Sequence, residues 1–145
     1  MWHQEASRTG SVFGNLRGMH REAFATTAAP AAIGPYSQAI VASGTMVFLS
    51  GSIPLTPEGE LVMDSIEAQT EQVCQNIKAL LGAMGLGMEN IVKTTIFLSS
   101  MDHFGTVNEV YGRHMASPPP ARSTVAVAGL PKGVDVEIEC IAVRP

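Results

Sequence analysis

The chain has 145 residues and a mass of 15.3 kDa, which is the size of a single domain. With 46% hydrophobic and only 15% charged residues it can bury a core, so this composition excludes disorder for most of the chain. The net charge of −4 argues against a dedicated nucleic-acid binder, and the longest apolar runs are far shorter than the ~18 residues of a membrane span.

Residues 1–25 are polar and lack the apolar segment of a secretory signal. We therefore assign them to an N-terminal extension and residues 26–145 to one domain. Three interpretations of the extension stay open: a flexible tail, an upstream start codon with Met19 as the natural beginning, or a remnant of expression cloning. An organelle transit peptide fits less well because of Glu5 and Glu22.

The first part of the domain predicts short strands joined by turns. Ala39–Ala42 and Met46–Ser50 are β-leaning runs that flank Ser43-Gly44-Thr45, a sequence typical of a hairpin turn. A loop rich in proline and glycine follows, and after it Leu61-Val62 predicts a further short strand.

Two amphipathic helices follow. The first is predicted to begin at Asp64 or Ser65 and to end before Gly85, with a buried stripe of Ile66, Val73, Ile77, Leu80, Leu81 and Met84. The second is predicted to be capped by Asp102 and ended by Pro118-Pro119-Pro120, with a stripe of Phe104, Val107, Tyr111 and Met115.

Three further strands are predicted around these helices. Ile91–Leu98 indicates a strand buried on both faces, and Arg122–Val127 and Val134–Val143 follow it. In the last strand one face is apolar, whereas the other mixes acidic and aliphatic residues. Two helices cover one face of a sheet of about six strands, so we expect a second copy of the chain to cover the other face.

Two charged residues are candidates for catalysis. Arg122 begins a strand after the proline run, where its guanidinium presents a rigid fork suited to a carboxylate; the alternative is an ordinary surface or salt-bridge arginine. Glu137 shares a strand face with Asp135 and Glu139, so its carboxylate can hold or deprotonate a water; the alternative is a solvated acidic face.

Weaker signals come from three other places. Tyr36 follows Gly34-Pro35, a constrained turn that would fix its phenol, although it also fits an ordinary half-buried aromatic. Ser50-Gly51 ends a strand where a ligand can approach the backbone, or is simply a turn. Asn108 lies at the edge of the second helix's stripe, where it would bind a ligand or satisfy a backbone group.

Other chemistries find no support in the sequence. The four histidines form no close pair, and neither cysteine lies near one in sequence, so no zinc site is predicted. No phosphate-binding glycine loop or Gly-x-Ser-x-Gly elbow occurs. Cys74 and Cys140 lie in apolar patterns, which favours buried thiols and a cytoplasmic setting over a disulfide scaffold.

Several blocks occur in a fixed order over about residues 26–144: Ala31-Ala32-Ile33-Gly34-Pro35-Tyr36-Ser37-Gln38-Ala39, Ser50-Gly51-x-Ile53-Pro54, Val92–Leu98, Val107-Asn108-x-Val110-Tyr111, Pro120-Ala121-Arg122-Ser123 and Val136–Val143. Together they resemble the RidA/YjgF family, also described as the L-PSP endoribonuclease family. The resemblance implies an α+β, chorismate-mutase-like fold of the bacillus type, with about six strands in a mixed sheet and two helices on one face. It also implies a homotrimer with sites between subunits.

The activity implied by the resemblance is hydrolytic deamination of reactive enamines and imines, such as 2-aminoacrylate and 2-iminobutanoate, to 2-oxo acids and ammonia. It implies no organic cofactor and no metal. Two alternatives stay open: an endoribonuclease or translation inhibitor, and a non-catalytic module that binds small carboxylates. A deaminase specialised for an aminoacrylate or aminomuconate is a variant of the first function.

The resemblance also assigns roles to residues. Arg122 matches the arginine that grips the substrate carboxylate, and Glu137 matches the glutamate that positions the attacking water. Four residues match the lining of the same cleft: Tyr36, Ser50, Gly51 and Asn108. Thr124 stands where many members have cysteine, so its backbone is expected to face substrate without thiol chemistry.

Overall fold

The computed structural model describes residues 20–145, so interpretations of residues 1–19 lie outside the described part. Two α-helices and six strands follow in the order β1 (His20–Phe24), β2 (Ala39–Ser43), β3 (Thr45–Ser52), α1 (Ile66–Ala83), β4 (Ile91–Leu98), α2 (Phe104–His114), β5 (Ala121–Ala126) and β6 (Val136–Arg144). In the described part, neither helix has the length and apolar character needed to cross a bilayer.

The strands form two sheets rather than one. β1 and β2 make an antiparallel ribbon, and the other four strands are ordered β3-β6-β4-β5. β6 runs antiparallel to both neighbours, whereas β4 and β5 are parallel, so the predicted mixed α+β architecture is confirmed. The predicted hairpin at Ser43-Gly44-Thr45 is wrong, because β2 pairs with β1 and the bend at Gly44 leads the chain into the larger sheet.

Strand β1 falls inside the segment that the sequence analysis assigned to the extension. Its Arg21 side chain donates from Nε to the carbonyl of Ile91 and from Nη2 to that of Pro118, each at 2.9 Å. Burial lowers the pKa of this guanidinium. These two bonds hold the ribbon against the larger sheet, so ordered structure begins before residue 26. Leu61 makes only an isolated bridge to Leu55, not the short strand predicted there.

Both helices pack on one face of the four-stranded sheet. The apolar side of β6 lies entirely in this core, as predicted, together with residues of β4, α1 and α2: Val136, Ile138, Cys140, Ala142, Ile96, Leu98, Val73, Ile77, Leu81, Val107 and Tyr111. On α1, Leu80 and Met84 are 51% and 37% exposed, so the predicted stripe was too wide.

The helix starts follow from local capping. The Ser65 hydroxyl accepts the backbone N–H of Ala68 at 3.0 Å and fixes the beginning of α1. The second helix differs from the prediction, because Ser100, not Asp102, supplies the capping oxygen, accepting the Asp102 N–H at 3.1 Å. A 3-10 turn over Met101–His103 then leads directly into α2.

The outer face of the sheet carries large apolar side chains that are exposed in the single chain. Phe48 is 72% exposed, and Met46 and Val125 are 49% and 43% exposed. On β4 the residues of this face are only half-buried, so the prediction of a strand buried on both faces is wrong for one chain. The two helices occupy the opposite face, and the β1–β2 ribbon contacts the sheet at β4.

The beginning of β6 is held to α1 by a buried amide. Gln69 is 2% exposed; its Nε2 donates to Asp135 Oδ2 at 2.9 Å, and its Oε1 accepts the Asp135 N–H at 3.0 Å. The other carboxylate oxygen accepts the Ser99 hydroxyl at 2.7 Å. Bonds from Ser99 and Gln69 favour the ionised form and lower the pKa of Asp135.

Replacing the Asp135 carboxylate tests how much its hydrogen bonds with Gln69 and Ser99 contribute to stability. The pKa of Asp135 is lower in the folded protein than in the unfolded chain, where it is about 4. The ionised carboxylate therefore stabilises the fold fully above about pH 4, and this stabilisation is lost as the pH falls through the pKa of the folded state. Asp135→Asn should lower the free energy of unfolding in urea at pH 7 by about 1–3 kcal/mol. This loss should shrink below about pH 4. Asp102→Asn, at an exposed aspartate, is the control; a loss independent of pH would contradict the expectation.

The two thiols offer a second test of the core. Burial raises the pKa of Cys74 and of Cys140 to about 12. We therefore expect neither to react with a disulfide reagent at pH 8 in the folded protein, and both to react in guanidinium chloride. Rapid labelling of either cysteine in the native protein would show that this part of the core opens.

Candidate functional site

The approach to Arg122 is fixed by the loop that carries Tyr36. The backbone N–H of Ser37 donates to the carbonyl of Pro120 at 3.1 Å, and its hydroxyl donates to the carbonyl of Pro119 at 2.5 Å. Ser37 is 2% exposed, so these bonds are shielded from water. The constrained turn and the proline run, two separate signals in the sequence, therefore form one rigid wall before β5.

Arg122 is a half-buried cation without an acidic partner. Its Nη1 donates to Asn108 Oδ1 at 2.5 Å, and three aromatic rings lie around its guanidinium carbon: Tyr111 at 5.3 Å, Tyr36 at 5.4 Å and Phe104 at 5.8 Å. Within residues 20–145 it makes no salt bridge. Burial lowers the pKa of Arg122, although a guanidinium stays charged at any physiological pH.

One face of α2 supplies most of this surround. Phe104, Asn108 and Tyr111 are spaced i, i+4 and i+7, which places all three on one side of the helix. The apolar stripe of this helix predicted Phe104 and Tyr111 as core residues and did not indicate their contact with Arg122. That spacing around Asn108 was the available signal. The Tyr111 hydroxyl lies 2.7 Å from Thr94 Oγ1, and burial raises the pKa of Tyr111 to about 12.

Gly34 packs against the Arg122–Asn108 pair. A Cβ at this position would lie 3.3 Å from Asn108 Nδ2 and 3.6 Å from Arg122 Nη2. The missing side chain therefore lets the backbone of the Tyr36 loop approach the guanidinium closely. The same loop holds the Tyr36 hydroxyl, which accepts the Ile33 N–H at 3.3 Å.

Strand β5 carries Arg122 and Thr124 at the edge of the sheet. Thr94 and Ile96 are their partners on β4, so both side chains lie on the helix-covered face. The Val127 N–H donates to Leu98 on β4, and the alternation of strand backbone groups then directs the N–H of Thr124 to the free edge. A backbone donor and the guanidinium therefore lie on the same stretch of edge strand.

Ser50, Gly51 and Glu137 form a second group. The β3–β6 pairing shifts between Leu49 and Ser52, so Ser50 and Gly51 lie in a bulge. A Cβ on Gly51 would overlap the Glu137 carboxylate, which rests directly on this glycine. Glu137 is half-buried and pairs in register with Phe97 on the outer face of the sheet.

A single chain does not bring the two groups together. Arg122 and Glu137 are two strands and three register steps apart, which corresponds to about 14 Å between their Cα atoms. Their side chains also leave opposite faces of the sheet, since the partner of Arg122 lies in the core and that of Glu137 does not. The seven predicted site residues thus divide into Tyr36, Asn108, Arg122 and Thr124 on one side and Ser50, Gly51 and Glu137 on the other.

A metal site would require several ligand side chains close together. Across the described range, 20–145, no three His, Cys, Asp or Glu side chains converge as a set of ligands. His114 Nε2 lies 2.6 Å from Glu71 Oε2, and the bond from His114 lowers the pKa of Glu71, but this pair joins α1 to α2 away from Arg122.

Comparison with known proteins identifies the family of this chain. The family model described as endoribonuclease L-PSP matches residues 26–144. Protein DfrA of Myxococcus xanthus is 52% identical over 88% of this chain and 99% of its own length. A 2-iminobutanoate/2-iminopropanoate deaminase of Mus musculus is 45% identical over 86% of this chain and 92% of its own.

A solved structure shows the same fold. E. coli TdcF with bound serine superimposes with a TM-score of 0.65 and 44% sequence identity, over 86% of this chain and 99% of its own. The family match spans nearly all the described residues, and the relatives are covered over almost their full length. The chain therefore belongs to the endoribonuclease L-PSP family, which is the RidA/YjgF family that its sequence resembles.

Proposed function

We propose that this protein hydrolyses small reactive 2-imino acids, of the 2-iminobutanoate and 2-iminopropanoate type, to 2-oxo acids and ammonia. The observation that carries the proposal is the half-buried guanidinium of Arg122, which has an amide and three rings around it but no carboxylate from residues 20–145. A partly desolvated cation of this kind favours a small anion as its partner. The deaminase name of the mouse relative supports the same chemistry.

The carboxylate of the substrate would bind to the free N–H groups of Arg122. Asn108 occupies one of the five guanidinium N–H donors, which leaves enough for a two-pronged contact. The Thr124 N–H at the sheet edge is a further donor beside it. Fixing the carboxylate in this way also fixes the orientation of C2, the electrophilic carbon of the imine, so that water can attack it from one side.

A second copy of the chain would complete the site. Glu137 is about 14 Å from Arg122 within one chain, too far to act on the same small molecule. The outer face of the sheet, which bears Glu137, also carries exposed Phe48, Met46 and Val125, and these apolar side chains suit a subunit interface. We propose a closed homotrimer in which Ser50, Gly51 and Glu137 of one subunit face Arg122 of the next.

In this arrangement the chemistry needs no covalent intermediate on the protein. A water held by Glu137 attacks C2 of the iminium, and the carboxylate takes the water proton as the C–O bond forms. Glu137 returns that proton to the nitrogen of the resulting carbinolamine. As the C2–N bond breaks and ammonia leaves, the carboxylate takes the proton of the C2 hydroxyl, so that a C2=O bond forms and the 2-oxo acid remains; ammonia carries this last proton away as ammonium. Tyr36 borders the nitrogen end. No residue here requires a cofactor, and two free thiols suit the cytoplasmic setting that we propose.

Cleavage of RNA, which the family description names, is less well supported. The chain carries a net charge of −4, and Arg122 is enclosed by rings instead of lying in a row of basic side chains. Single-stranded RNA binding depends on such basic rows and exposed stacking platforms. Purified protein should leave RNA intact under conditions where it accelerates imine hydrolysis.

Removing the guanidinium tests the carboxylate contact. A threonine dehydratase supplies the imine, and 2-oxobutanoate formation is followed with and without this protein. Arg122→Ala should lower kcat/KM by about 100-fold or more, since two charge-assisted hydrogen bonds are lost. Arg113→Ala is the matched control, because that exposed arginine pairs with Glu109 and Glu67 on the helix surface. Equal activity of both variants would refute the contact, and binding of 2-oxobutanoate without turnover would indicate a binding module.

Mixing two inactive variants tests whether the site is shared. Arg122→Ala and Glu137→Gln should each be inactive alone. After co-refolding in equal amounts, half of the sites receive an intact Arg122 and half of those an intact Glu137, so about a quarter of wild-type activity should return. Light scattering should give three times the 15.3 kDa chain mass. Recovery of no activity from a properly assembled mixture would place both residues in one subunit and contradict the proposal.

A further inference from the structure

The Thr124 hydroxyl is an exception among the buried polar groups. Among the buried side-chain oxygen and nitrogen atoms of residues 20–145, Thr124 Oγ1 is the one that has no hydrogen-bond partner. Leaving a hydroxyl buried and unpaired costs about 1–3 kcal/mol, so such a group in a native protein calls for an explanation.

Thr124 as a whole is half-buried and only its Oγ1 is enclosed, but the two buried threonines among residues 20–145 show how the fold normally satisfies such a hydroxyl. Thr70 is fully buried and donates to the Ile66 carbonyl at 2.8 Å. Thr94, at 1% exposure, pairs with the Tyr111 hydroxyl at 2.7 Å. The unsatisfied hydroxyl is therefore confined to the threonine that lies beside the candidate site.

Its location relates it to the guanidinium. Thr124 follows Arg122 by two residues on β5, so the two side chains share the helix-covered face, with about 7 Å between their Cα atoms. The guanidinium and the edge N–H both suit the carboxylate of a ligand. The next polar atom of a 2-imino acid is the nitrogen on C2, which would lie further along the strand, toward the hydroxyl.

We propose that the Thr124 hydroxyl is a specificity-determining group that hydrogen-bonds the C2 heteroatom of the ligand. This inference rests on the proposed function. A hydroxyl both accepts and donates, so it can accept an N–H of the iminium and, after rotation, donate to the oxygen of the 2-oxo product. Binding of the ligand supplies the partner that the hydroxyl lacks in the free chain. Small carboxylates without a heteroatom on C2 leave it unsatisfied and bind more weakly.

Binding calorimetry with 2-oxobutanoate and butanoate tests this inference without relying on turnover. These ligands share the carboxylate that Arg122 would hold and differ at C2. Wild-type protein should bind 2-oxobutanoate about fivefold to tenfold more tightly than butanoate. Thr124→Val keeps the side-chain shape and should bring this ratio close to one, whereas Thr124→Ser should retain most of it. An unchanged ratio in Thr124→Val, or no preference in the wild type, would overturn the inference.

Stability of the free protein supplies the second readout. Thr124→Val removes a hydroxyl that has no partner, so its urea midpoint should equal or exceed that of the wild type. Thr94→Val is the matched control, because it removes a bonded hydroxyl from the same sheet face and should lower the midpoint. A similar decrease in Thr124→Val would mean that its hydroxyl is already satisfied and would overturn the inference. Imine hydrolysis by the wild-type protein is measured separately, so failure of the proposed function can be distinguished from failure of this inference about Thr124.

Discussion

The constraint that organises this molecule is a positive charge held partly out of water without a negative one beside it. The Arg122 guanidinium loses hydration at the start of β5 and receives in return one amide oxygen and three ring faces. Cation–π contacts recover part of the lost hydration energy but do not neutralise the charge. An anion of matching shape would complete the set, which is why we propose that the site binds small carboxylates.

The fold supplies rigidity on every side of that charge. Burial of the apolar faces of α2 and β6 fixes the helix against the sheet, and this orientation directs Asn108 and Tyr111 at the edge strand. The bonds of Ser37 to the proline carbonyls fix the opposing loop. A site held in this way needs little reorganisation when a ligand binds, so more of the interaction energy is available for orientation.

The polar groups of the interior divide into those that stabilise the fold and one that does not. Gln69 with Asp135, and Thr94 with Tyr111, are mutually satisfied and join elements distant in sequence. Among residues 20–145, Thr124 has no such partner, although it lies one strand from Ile96 in the core. Satisfied networks specify the structure, whereas an unsatisfied group beside a site is a cost that a ligand can offset.

The sequence by itself determined the α+β class, both helices, the alternating face of β6 and the candidate status of Arg122 and Glu137, because periodicity and residue chemistry are local properties. It missed β1, whose strand character depends on pairing with β2, and it assigned the turn at Gly44 to a hairpin that the register does not form. Only the tertiary structure decided that Phe104 and Tyr111 surround the guanidinium. Only the strand order separated Glu137 from Arg122, because pleating sends their side chains to opposite faces of one sheet.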